Sequence, residues 1–163
     1  MAQIRSQLLG SFAGCFARCL ALATALLGTF CAPVHAAEFR SINVAAAVLW
    51  DGPSDKAKKV FLAPRGMPIE VVSTLNAWVK VKDLSGDIAW VAASDLGKTR
   101  TVVAITLATI RNAAQDGSAM SFQAERGVTL ELLDGGQVTT GFVRVKHKDG
   151  STGFVKTGEV WGL

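Results

Sequence analysis

Beyond residue 36 the chain holds one histidine, His147, set between Lys146 and Lys148. Two adjacent positive charges oppose both its protonation and its capture of a metal cation. Zinc needs three or four donors, yet the three cysteines, Cys15, Cys19 and Cys31, all precede residue 37. His147 therefore reads as a solvent-facing strand residue, and no metal or cofactor is expected. Nucleophilic catalysis needs Ser, Cys or Thr beside a positioned base, which one histidine without a thiol does not supply. Asp83 and Asp87 flank Leu84-Ser85-Gly86, where Asp serves the turn and not an acid–base pair. Gly135-Gly136 lacks the following Lys-Ser/Thr of a phosphate loop and reads as a loop tip.

What remains is aromatic surface in a chain without tyrosine. Trp50, Trp78 and Trp90, then Phe142, Phe154 and Trp161, offer flat apolar faces suited to stacking on a sugar ring or holding a peptide side chain. Most aromatics of a small barrel go to its core or lid. Trp78 is the best exception, because in Trp78-Val79-Lys80-Val81-Lys82 the pleat sends the valines inward and leaves Trp78 with two lysines. Arg111 is placed to meet an acidic ligand group. The candidate ligand-binding residues are thus Trp50, Trp78, Trp90, Arg111, Phe142 and Phe154; none is assigned a catalytic role.

The elements that must position them are strands. Phe39 to Val48 reads as one entry strand, and Trp50-Asp51-Gly52-Pro53-Ser54-Asp55 is dense in turn formers that open a polar loop through Lys59. Val60 to Ala63 is a short strand stopped by Pro64-Arg65-Gly66, and Ile69 to Thr74 alternates. Leu84 to Asp87 forms a hairpin turn before Ile88 to Ala92 returns. Ala93 to Leu96 reads as a helical turn leading to a last strand.

The pattern then repeats. Ala108 to Ala114 aligns with Ala47 to Pro53, and Arg126 to Leu132 with Arg65 to Val71, both offset by 61 residues. Phe142 to Lys146 aligns with Trp78 to Lys82, Gly153-Phe154-Val155 with Ala89-Trp90-Val91, and Val160 with Leu96, offset by 64, so three extra residues fall near Asp134 to Gly141. A duplication of this kind sets a module of about 55–60 residues. The expected fold is all-β, two small partly open β-barrels in tandem over residues 37–100 and 101–163. Barrels of that size bury only about 60% of their unfolded surface, and the short connection Gly97 to Thr101 predicts a compact pair.

Residues 1–36 read as a secretory signal peptide. Arg5 and Arg18 precede the apolar run Cys19 to Ala32, Pro33 breaks it, and Val34-His35-Ala36 is a small-residue cleavage signal with processing after Ala36. The run is shorter than the ~20 residues a bilayer needs, so no stable membrane insertion is expected after cleavage. Phe12-Ala13-Gly14-Cys15 resembles a lipoprotein box, but the apolar run follows the cysteine instead of preceding it. Without Arg5 and Arg18 the charge falls from +4 to +2. The remaining basic residues are spread along the chain, with Lys56, Lys58 and Lys59 the one local cluster, which excludes a concentrated nucleic-acid face.

The first repeat resembles a bacterial SH3-like domain. Leu49 to Pro53, Gly66 to Val71, Trp78 to Asp83, Gly86, Trp90-Val91 and Arg100-Thr101 carry the likeness. The second copy departs at Asn112-Ala113-Ala114 and puts Phe142 and Phe154 in place of tryptophans. Trp50 stands where the family usually has Arg, which Arg111 keeps. The resemblance implies a secreted or periplasmic, non-catalytic SH3-like binding module for cell-wall peptide, peptidoglycan or an envelope protein partner. The alternatives are a structural or scaffolding subunit of an envelope complex, or an accessory to a cell-wall hydrolase.

Overall fold

Val79 and Val81 are buried while Trp78, Lys80 and Lys82 stay half-exposed, as the pleat requires. Residues 37–163 are described in a computed structural model of the protein; the expected leader over residues 1–36 lies outside them. The first seven strands are β1 (Glu38–Ile42), β2 (Ala46–Trp50), β3 (Lys59–Pro64), β4 (Pro68–Leu75), β5 (Trp78–Lys82), β6 (Ile88–Ala92) and β7 (Leu96–Gly97), and they form one sheet in the order β3-β2-β6-β5-β4-β1-β7. The next seven are β8 (Thr101–Ala104), β9 (Ala108–Arg111), β10 (Met120–Ala124), β11 (Thr129–Leu132), β12 (Phe142–Lys146), β13 (Thr152–Lys156) and β14 (Val160–Trp161), in the order β10-β9-β13-β12-β11-β8-β14. Adding seven to every label of the first order gives the second. The fold is all-β, two half-open antiparallel barrels built on one duplicated plan, and a 3-10 turn precedes the last strand of each, Ala93–Asp95 and Thr157–Glu159.

Each barrel has its own core. Ala47, Leu49, Ala63, Ile69, Val79, Val81, Ala89 and Val91 cluster in the first. Ala108, Ile110, Ala124, Leu130, Val143, Val145 and Val155 take the equivalent places in the second. One pair is exchanged between copies: Leu49 and Ala89 become Ile110 and Gly153. A Cβ on Gly153 would collide with Ile110 Cγ2 and stand 2.7 Å from the Arg111 carbonyl oxygen. The branched Ile110 already fills the space that Ala89 fills in the first copy. Gly153→Ala is therefore expected to cost about 1–3 kcal/mol by overpacking. Chemical denaturation would measure it, and an unchanged midpoint would refute the exchange.

The expected entry strand over Phe39 to Val48 is two strands. Asn43-Val44-Ala45 breaks it, because the Asn43 N–H bonds the Asp95 carbonyl at 2.8 Å and the Ala45 carbonyl accepts from the Arg65 N–H at 3.1 Å. Both partners come from distant turns, so the corner is tertiary in origin. The copies also differ between their fourth and fifth strands. In the first, Asn76 at φ 53° and Ala77 close a two-residue hairpin. In the second, the strand stops at Leu132 and the chain runs through a 3-10 turn, Asp134–Gly136, before β12. Gly135 and Gly136 both have positive φ there, as a loop tip demands.

The barrels touch through a buried hydroxyl pair. Thr101 Oγ1 donates to the Gly66 carbonyl at 2.7 Å and lies 2.7 Å from Ser41 Oγ. Since Thr101 has one hydroxyl hydrogen, Ser41 is the donor of the second bond. Phe39 meets Trp161 edge to face beside it, at 5.0 Å between centroids. Thr101→Val keeps the shape and leaves Ser41 and Gly66 unpaired. A loss of about 1–3 kcal/mol is expected in thermal melts; a neutral result would mean that water replaces the hydroxyl.

Candidate functional site

Strand pairing gathers the three sequence-predicted tryptophans of the first barrel on one outer face. Trp50 on β2 pairs with Trp90 on β6, which pairs with Lys80 on β5. Trp78 lies on the same face of β5, and its ring meets Trp50 edge to face at 6.3 Å and 89°. All three indoles are half-buried. Two cations that the sequence reading did not single out complete the group. Lys59 Nζ stands 5.5 Å from the Trp50 ring centre and Lys80 Nζ 6.0 Å from that of Trp90. Lys59 could not be found from local spacing, since a loop separates it from Trp50; Lys80 was visible only as the pleat neighbour of Trp78.

Farther along the same face, Glu70 holds Lys82 at 2.6 Å. The face therefore offers aromatic planes edged by Lys59 and Lys80, fit for an apolar or ring-shaped group that carries a negative charge nearby. The hairpin below it behaves as the sequence suggested. Asp83 Oδ1 accepts the Ser85 and Asp87 N–H groups at 2.8 and 3.0 Å, so this carboxylate shapes the turn.

The equivalent face of the second barrel is covered over Phe142, while Phe154 stays as half-buried as the indoles of the first. Phe142, read from sequence as ligand surface, is only 4% exposed. Its backbone pairs both ways with Thr139 at 2.8 Å, a tight turn with Thr140 and Gly141 at positive φ. Thr140 Oγ1 then donates to the Ala114 carbonyl at 2.6 Å, joining the lengthened loop to the one after β9. Lys156 bridges the same parts, 6.0 Å from the Phe142 ring centre and 2.5 Å from Asp116. The hydrogen bond from Lys156 holds the exposed Asp116 carboxyl below its ordinary value. Arg111, in the place of Trp50, donates to the Ser118 carbonyl of its own loop at 2.9 Å. Phe154 pairs with Arg111 on one side and Arg144 on the other and stays half-buried. The structure thus brings Trp50, Trp78 and Trp90 together and sets Phe142 and Arg111 to internal bonds.

His147 is not the solvent-facing strand residue expected. It follows β12, its side chain is 22% exposed, its Nδ1 lies 3.0 Å from Asp149 Oδ2, and its ring is 5.9 Å from Phe122. The Ser151 N–H first, and then His147, pull the Asp149 carboxyl down to about 2. A depressed acid adds stability above its unfolded value and loses it as pH falls through the folded one. Asp149 is accordingly expected to titrate near pH 2 by NMR, and to shift upward in His147→Ala. A cleft between the barrels, lined in part by Arg65, Thr101, Glu131, His147 and Lys148, includes none of the indoles. Among the described residues no group of three or more His, Cys, Asp or Glu is placed to hold a metal. No described helix is long and apolar enough to cross a membrane.

The bacterial SH3 domain model matches twice, over residues 43–98 and 105–162. The protein belongs to the bacterial SH3 domain family, as a tandem pair. No curated protein sequence matches the chain. Among solved structures it is similar to NlpC2 of Trichomonas vaginalis, at 12% identity and a TM-score of 0.36, covering 77% of this chain and 48% of that one. NlpC1 of the same organism gives 13% identity, a TM-score of 0.36 and coverage of 79% and 47%. An NlpC/P60 family protein from Bacillus cereus gives 16%, 0.35, and coverage of 76% and 56%. The chain spans about half the length of these structures. At such identities their activities do not pass to this chain.

Proposed function

We propose that this protein is a non-catalytic extracytoplasmic binding module, which holds cell-wall peptide or an envelope protein on the outer face of its first barrel. The observation that carries the reading is the cluster of Trp50, Trp78 and Trp90 edged by Lys59 and Lys80. Family membership supports a binding role, and the leader pattern of residues 1–36 supports a secreted or periplasmic place. The indoles supply apolar planes to a sugar ring or peptide side chain. The two ammonium groups suit the carboxylates of a wall peptide. The covered Phe142 and the self-bonded Arg111 of the second face favour the first barrel as the binding copy, with the second as its support.

Tryptophan fluorescence titrated with muropeptides tests this directly. A saturable shift is expected, reduced in Trp78→Ala. No shift at any concentration would instead favour a scaffolding subunit. Degradation of peptidoglycan on long incubation would overturn the non-catalytic part of the reading.

A further inference from the structure

The strand β3 stands at the edge of its sheet and pairs only with β2. Its residues Val60, Phe61 and Leu62 are 57%, 50% and 59% exposed. An apolar run on an open sheet edge is a template for pairing, which proteins usually blunt with charge, proline or a cover. The second barrel does blunt it. At the aligned positions of β10, Ser121 and Gln123 replace Val60 and Leu62, while Phe122 keeps the place of Phe61 and is half-buried. The first copy keeps the longer apolar run, bounded by Lys59 and Pro64, whereas Met120 is the large exposed apolar residue of β10.

The backbone there is available as well. The Arg65 N–H bonds the Ala45 carbonyl, and the register pairs Ala63 with Ala47 and Phe61 with Leu49. In an antiparallel ladder the bonded residues alternate. Phe61, Ala63 and Arg65 therefore point their backbone groups at β2, and Leu62 points its N–H and C=O at the open edge. Its side chain lies on the outer face beside Val48, next along β2 to Trp50.

From this edge we infer that β3 receives an extended strand from a partner protein, one with apolar residues at alternate positions and acidic residues at both ends. The charge at the edge selects those ends. Lys56 and Lys58 lie in the loop just before β3, Lys59 at its start and Arg65 just past its end, none within salt-bridge reach of a described acid. Of the two acids in the preceding loop, Asp51 already accepts the Lys58 N–H at 2.9 Å, and Asp55 is exposed. Self-pairing of two copies is disfavoured by the same residues. In a two-fold register centred on Leu62, Lys59 would face Arg65 of the second copy, a like-charge pair. Pro64 lacks an outward N–H, so a two-fold pair would miss two donors where an added partner strand misses one. Strand addition gives main-chain bonds for affinity and side-chain alternation for specificity.

The test is fluorescence anisotropy of a labelled peptide alternating valine and threonine between pairs of glutamates, titrated with the protein at low salt. The glutamate peptide is expected to bind saturably, about tenfold tighter than its lysine-flanked counterpart. Leu62→Pro removes the outward N–H without touching the ladder to β2, and Leu62→Glu puts a charge of the peptide's own sign on the edge. Each should weaken binding about tenfold or more; where circular dichroism finds the proline variant unfolded, the glutamate variant decides. Trp78→Ala should bind the peptide normally, so failure of the indole reading and failure of this one are separate results. Equal binding of the two peptides, or no effect of Leu62→Glu, would overturn the inference. So would a dimer that Leu62→Glu converts to monomer, which assigns the edge to a second copy.

Discussion

Leu130→Ala is expected to destabilise the second barrel by about 2–5 kcal/mol while leaving the first largely folded. Leu130 is fully buried and packs within the cluster of Ile110, Val143, Val145 and Val155. Its counterpart Ile69 lies in a cluster that shares no residue with the other. The mutation empties space in one core only, and the barrels meet through Ser41, Thr101, Gly66, the Phe39–Trp161 contact, the Arg100 hydrogen bond to the Gly162 carbonyl and the approach of Gly162 to Pro68. The chain carries its own reporter for this separation. Three of its four tryptophans, Trp50, Trp78 and Trp90, are in the first barrel. Tryptophan fluorescence therefore follows mainly that barrel, whereas far-ultraviolet circular dichroism follows both.

In urea, the variant should lose part of its circular dichroism at a lower midpoint than its fluorescence. Coincident transitions would mean a single cooperative unit, and the interface would then be stronger than these contacts suggest. Ile69→Ala provides the mirror experiment. It should pull the fluorescence transition to lower denaturant and spare part of the dichroism. A barrel this small sits near the margin of stability, so a loss of that size suffices to unfold it at modest denaturant.

Where a structural feature depended on the chain's own period, it was readable from sequence. The inward turn of Val79, Val81, Val143 and Val145 follows from alternation alone, and all four are buried. The duplication was legible in offsets, and so was the place of the three extra residues. What escaped depended on partners distant in sequence. Nothing in Phe39 to Val48 announces the corner at Asn43, because Asp95 and Arg65 provide the bonds that make it. Phe142 has the same pleat position as Trp78, yet the loop ahead of it folds onto the Ala114 carbonyl and covers it. The exposed run Val60-Phe61-Leu62 reads as an ordinary short strand until the sheet order leaves it at an edge.

Contacts across the sheet also rank the indoles of the first barrel. Trp78 drew attention in the sequence through its lysine neighbours, but Trp50 is the hub of the face. It pairs with Trp90, meets Trp78 edge to face at 6.3 Å and carries Lys59 at 5.5 Å. If the face holds muropeptide as proposed, Trp50→Ala is expected to weaken that binding by about 2 kcal/mol, roughly thirtyfold. Calorimetric titration would measure the loss, with denaturation midpoints to confirm an intact barrel. Trp50→Phe should recover most of it, because a ring still supports Trp78. Phe154→Ala, in the second barrel, should change the affinity little. If Trp50→Ala binds as tightly as the natural chain while Phe154→Ala does not, the binding copy is the second one. The lengthened loop after Leu132 would then have to open to admit ligand, breaking the bonds of Thr140 to Ala114 and Lys156 to Asp116.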